Sequence, residues 1–132
     1  MRILTTALLL ALSLPAMAAQ EIVCNPDGNQ LELNQCAADE LSAADADLNA
    51  VYRQIMTSLA ARPGAQTSLR ASQRLWIQLR DANLDALFPL EDGEEPRVMY
   101  GSMYPMSHAS AKAELTRARS SWLRSNFIEN DG

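Results

Sequence analysis

The chain has 132 residues and a mass of 14.5 kDa, with 11 basic and 16 acidic side chains, one His and two Cys. That is enough for one small hydrophobic core and too little for two. Its formal charge of -5 repels a polyanionic partner, so nucleic acid is set aside as a ligand class.

Met1 and Arg2 precede the apolar run Ile3 to Leu14, and Pro15, Ala16, Met17 and Ala18 follow. This is a short basic n-region, an apolar stretch too short to span a bilayer, and small residues placed for a peptidase. Residues 1–19 therefore read as a signal peptide, with a mature chain from Ala19 or Gln20. A buried N-terminal helix is the competing reading, and Pro15 would interrupt it. No second long apolar run exists, so a soluble product without stable membrane insertion is expected, in the periplasm or secreted. A lipid anchor is disfavoured because Glu21, Ile22 and Val23, not a Leu and small-residue pattern, precede Cys24.

In an oxidising compartment, Cys24 and Cys36 are expected to form one local disulfide that clamps the N-terminal arm to the first helix. Closing so short a loop contributes about 3 kcal/mol on the chain-entropy account. The spacing is not that of a redox CxxC site, and one His with two Cys supplies a zinc site poorly.

Pro26, Asp27, Gly28 and Asn29 form a turn signal, and Asn29 with Glu32 makes a capping box. Leu33, Ala37, Leu41, Ala44, Leu48, Val51, Tyr52, Ile55 and Leu59 then recur at helical spacing up to Pro63 and Gly64. Ser42 and Asp45 offer a second capping box, so a break near Ser42 is an alternative to one long helix. A second helix is expected over 65–88, with Leu69, Trp76, Ile77, Leu84, Leu87 and Phe88 apolar and Gln73 and Arg80 on the same side. Residues 89–107 lack sustained periodicity and carry Pro89, Gly93, Pro96, Gly101 and Pro105, which makes a long packed or functional loop. The last helix is expected over 107–125, burying Ala111, Leu115, Ala118 and Trp122, with Phe127 over its end and residues 129–132 fraying. The whole reads as an all-α, three- or four-helix antiparallel bundle forming one domain over 20–132, expected as a monomer.

Gln30, Glu32, Asn34, Cys36, Ala44, Asp45, Leu48, Asn49 and Tyr52, then Gln73, Trp76, Arg80 and Asp81, then Leu115, Thr116, Arg119 and Leu123 form one ordered pattern. It resembles that of the secreted LprI-type lysozyme-inhibitor family and covers nearly the whole mature chain. The resemblance implies a non-catalytic protein without cofactor that binds and inhibits a lysozyme-like muramidase. Other readings are a periplasmic adaptor, a stress protein or an immunity protein bound to another protein. A second cysteine pair common in the family corresponds approximately to Leu84 and Ala111, so apolar packing has to dock the last helix and the loop here.

Asp45, Asn49 and Tyr52 share one side of the first helix, while Gln73, Trp76, Arg80 and Asp81 share one side of the second. With Thr116 and Arg119 they are read as a structural network built on an Asp45–Arg80 bridge. Asp81, Asp85 and Glu114 offer no opposed carboxylates around a sugar cleft, so glycosidase chemistry is set aside. Ser, Cys and His nucleophile schemes fail because the sole His108 opens the last helix and both cysteines are paired. Met99, Met103, Met106 and His108 could hold Cu(I), but ordinary loop packing is the preferred reading. Glu91, Asp92, Glu94 and Glu95 could steer a cationic protein such as a lysozyme-like hydrolase, with Tyr100, Met103 and Tyr104 supplying apolar contact.

Overall fold

The computed structural model describes residues 21–129, so the signal-peptide reading of residues 1–19 lies outside the described residues. Asn29 opens α1, Gln30–Ser58: its side chain accepts from the amides of Leu31 and Glu32, and Glu32 Oε2 accepts from the Asn29 amide at 2.7 Å. The capping box forms as expected, and the helix runs through Ser42 without a break. Burial of Ala37, Ala44, Leu48, Val51 and Ile55 along one stripe holds it continuous, leaving Ser42 exposed and no need for a second cap.

The later helices are α2, Pro63–Leu87, α3, Pro96–Tyr100, and α4, Tyr104–Phe127. Pro63, Pro96 and Pro105 each lie in the first turn of a helix. A missing N–H costs nothing there, because the first-turn amides have no intrahelical acceptor. Reading these prolines as boundaries therefore places α2 and α4 two to three residues late and misses α3 altogether.

Contacts between α1 and α4 advance together along both chains: Gln30 meets Met106, Glu40 meets Arg117, and Asp47 meets Arg124. The two helices are parallel and in extended contact. Between α2 and α4 the order reverses, with Gln73 against Arg119 and Phe88 against His108, so the path is up, down, up. The 88–103 connection therefore joins neighbouring helix ends rather than spanning the bundle.

The α1–α4 register sets Ala37 level with Ala113 and Ala44 level with Ser120. All four are buried, and small side chains let the two backbones approach closely. Toward the far end the seam widens into the main core of Leu48, Val51, Ile55, Leu69 and Leu123, flanked by Tyr52, Met56, Leu59, Trp76, Phe127 and Ile128. The buried stripe of α4 is thus Ala113, Thr116, Arg119, Ser120 and Leu123, not Ala111, Leu115, Ala118 and Trp122. Close packing selects the small residues and leaves Trp122 47% exposed. On α2 only Leu69 and Leu84 are fully buried, while Ile77 and Leu87 face solvent.

The Cys24–Cys36 disulfide is present, with a Cα–Cα distance of 4.5 Å, and ties the arm to the second turn of α1. At the other end of the described chain, the Glu129 amide donates to the Arg124 carbonyl at 3.0 Å and its carboxylate accepts from Ser125 Oγ, so Glu129 is held rather than frayed.

Candidate functional site

Arg119 is the buried charge of the molecule's middle. Its Nε donates to Gln73 Oε1 at 3.1 Å and its Nη2 to Ser72 Oγ at 3.0 Å, both across the α2–α4 interface. The guanidinium also lies 4.6 Å from the Trp122 ring centroid and 5.8 Å from that of Trp76. Burial lowers its pKa from the ordinary arginine value, yet these acceptors and π-faces hold it as a cation. Gln73 therefore serves Arg119, and Ser72 is a partner that sequence reading missed: a lone Ser on a helix carries no pattern.

Arg80 also lies by Trp76, 5.2 Å from its ring centroid. Its Nε and Nη2 both donate to Asp81 Oδ1, at 2.9 and 2.8 Å, whereas Asp45 stands at 4.0 Å. The cation thus draws chiefly on the neighbour in its own helix, and the bridge to α1 is a longer one. Asn49 and Tyr52 line a shallow groove of about 250 Å³ with Arg70, Gln73, Arg74 and Ile77, and Asn49 is exposed. The shared helix face expected for Asp45, Asn49 and Tyr52 exists, but the charged network divides into an Arg80 half and an Arg119 half, with Trp76 common to both. Thr116 is buried in the α1–α4 seam, and its hydroxyl has no hydrogen-bond partner.

A second constellation stands at the loop end. Phe88 packs edge-on against Tyr100 and Tyr104, at 5.7 and 5.6 Å between centroids, and the two tyrosine rings stack. His108 closes the cluster against Phe88 and Tyr104. Tyr100 Oη donates to the Pro89 carbonyl at 2.6 Å, which fastens the loop to its own start. Gly93 and Gly101 take φ values of 84° and 72°, a backbone region that L side chains enter only with strain. Burial is the main cause that lowers the His108 pKa, and Lys112 adds to it against the raising fields of Asp85 and Asp81.

This scaffold presents the outer side of α3 and the turn after it to solvent: Val98 is 80% exposed, Met99 51% and Met103 50%. Glu91, Asp92 and Glu95 are exposed beside them. Glu94 is partly exposed and turned back on its own loop, where its carboxylate accepts from the Glu91 amide at 2.8 Å. Tyr100 and Tyr104 are half-buried supports of the loop, and Val98 is an exposed apolar side chain that periodicity could not single out without knowing that residues 96–100 are helical. Met106 Sδ accepts from Gln30 Nε2 at 3.9 Å and His108 sits among aromatic rings, so these two make separate contacts. Asp81, Asp85 and Glu114 are exposed side chains. Among the described residues there is no group of three or more His, Cys, Asp or Glu that could hold a metal.

Residues 24–123 match the model of a protein family described as lysozyme inhibitor LprI. The chain is also similar to uncharacterized protein R02472 of Rhizobium meliloti strain 1021, at 37% identity over 130 residues, covering 89% of this chain and 88% of the relative. No solved structure matches.

Proposed function

We infer a mode of action from one premise: the chain belongs to the LprI lysozyme-inhibitor family. It is a non-enzymatic protein that binds a lysozyme-like hydrolase in the periplasm or outside the cell, and its contact surface is the loop joining α2 to α4. The observation that carries this reading is the pairing of exposed Val98, Met99 and Met103 with exposed Glu91, Asp92 and Glu95 on one pinned loop.

The chemistry fits a cationic partner. The carboxylates draw it in through long-range attraction, and the Val and Met side chains then lose water at the contact. Because the aromatic cluster and the Tyr100 bond already fix the loop, little ordering entropy opposes binding. Tyr100 and Tyr104 support this surface from beneath.

The test is muramidase inhibition, with association and dissociation rates, for a charge-neutral loop (Glu91→Gln, Asp92→Asn, Glu95→Gln) beside Val98→Ser with Met99→Ser. The first variant should slow association and flatten its salt dependence; the second should speed dissociation. Unchanged rates in both, with circular dichroism unaltered, would remove the loop from the interface. Absence of inhibition by the parent against several lysozyme classes would remove the assignment itself.

A further inference from the structure

The face of α2 turned away from the bundle is uncharged along its length, with two leucines at its middle. Leu75 is 65% exposed and Leu79 60%, with exposed Ser68, Gln78, Ala82 and Ala86 on the same side. An adjoining stripe, within about 60° of arc on a regular helix, holds Arg70, Arg74, Asp81 and Asp85. Its first half is basic and its second half acidic. All four side chains are exposed, and among the described residues Arg70, Arg74 and Asp85 take part in no ion pair.

We propose that this face binds a second copy of the chain, α2 against α2, antiparallel and about a two-fold axis. In an antiparallel helix pair each flank meets the same flank of the other helix, so a stripe that is basic first and acidic second complements itself. Arg70 then meets the partner's Asp85, and Arg74 meets the partner's Asp81. Both pairings put the axis between Ile77 and Gln78. Setting Leu75 against the partner's Leu79 gives the same axis to within half a residue. Charge and apolar contact therefore select one register, whereas a parallel two-fold pair would set each charged stripe against the partner's opposite, uncharged flank.

The face from Ser68 to Ala86 is about 27 Å long. Two such strips cover less than the roughly 1,200–2,000 Å² of a standard interface, so the association is weak, at about tens of micromolar. At that concentration it replaces the monomer expected from the sequence. It also leaves the α3 loop free, because that loop lies at the end of α2 rather than along its outer face.

Sedimentation of the full mature protein up to about 0.5 mM, at low and high salt, tests this. The parent should dimerise with concentration, more weakly in high salt. Leu75→Ser with Leu79→Ser should abolish dimerisation without loss of helicity, since both side chains are already exposed. Arg70→Glu alone and Asp85→Arg alone should each weaken self-association roughly tenfold, because each sets two like-charge pairs across the axis. An equimolar mixture of these two variants should recover parental affinity as a heterodimer, which no effect on folding would produce. A parent that stays monomeric, variants that dimerise like the parent, or a mixture without recovery would each overturn the proposal. Loss of muramidase inhibition in the Leu variant of a monomeric parent would overturn it too, and would make this face the hydrolase contact instead.

Discussion

Arg119 Nε donates to Gln73 Oε1 at 3.1 Å, and this bond joins α4 to α2 where few apolar side chains do so. Only Leu69 and Leu84 of α2 are fully buried, so a charge-assisted polar contact carries part of the docking that a leucine stripe would carry elsewhere. Arg119→Ala removes the cation from Gln73, Ser72, Trp76 and Trp122 together. The expected loss is about 2–4 kcal/mol of unfolding free energy, read by urea denaturation. Asp45→Ala, whose carboxylate is partly exposed and 4.0 Å from Arg80, should cost less than about 1 kcal/mol. Equal losses for the two variants would contradict the division of the network described above.

The α1–α4 seam gives a prediction of the opposite kind. Ala113 is 0% exposed and stands level with Ala37, which is 3% exposed. Ala113→Leu adds three carbon atoms where the two backbones already approach closely, and should cost about 2 kcal/mol or more. Ala118→Leu, on the exposed side of the same helix, should be nearly neutral. Thermal melting of the two variants separates the cases.

Helix existence was legible in the sequence because three long segments repeat apolar residues at three and four. The face of α4 was not. Hydrophobicity ranks Leu115 and Trp122 above Thr116 and Ser120, but a parallel neighbour at close range selects for size, and only the register of α1 against α4 shows which side faces it. Likewise Pro96 and Pro105 have two opposite meanings, helix breaker or first-turn residue, and the sequence around them does not choose. The capping box at Asn29 and Glu32 was legible for the converse reason: its two hydrogen bonds are local and need no partner from elsewhere. The candidate site divides the same way. The acidic cluster on 91–95 stands out by composition, whereas the exposure of Val98 and the support roles of Tyr100 and Tyr104 depend on tertiary packing.

His108 makes stability depend on pH near neutrality. Its pKa in the folded protein lies below the ordinary value of 6.5, with burial among the aromatic rings as the largest cause. The unfolded chain therefore binds a proton that the folded one resists. The contribution is fully present above pH 6.5 and is lost as pH falls from there toward the folded value, below which the dependence levels off. Unfolding free energies between about pH 7.5 and 5 should decline in the parent and decline less in His108→Gln. A steeper decline in that variant would contradict the assignment. Asp47 acts at a lower pH: its hydrogen bond from Arg124 holds its pKa below 3.8, so its share is present above that value and fades only in stronger acid.

Tyr100 connects loop order to binding. Its hydroxyl donates to the Pro89 carbonyl, while its ring stacks on Tyr104 and meets the edge of Phe88. Tyr100→Phe removes the hydrogen bond and keeps the ring, so global stability should fall by no more than about 1 kcal/mol. The amides of residues 90–99 should exchange with solvent roughly fivefold faster, since the loop opens locally without the helices. If the α3 surface binds the hydrolase in its fixed form, affinity should fall by a similar factor, because the loop must then be ordered on binding. Faster exchange with unchanged inhibition would show that Val98 and Met99 bind without preorganisation. Unchanged exchange would show instead that the aromatic cluster alone holds the loop.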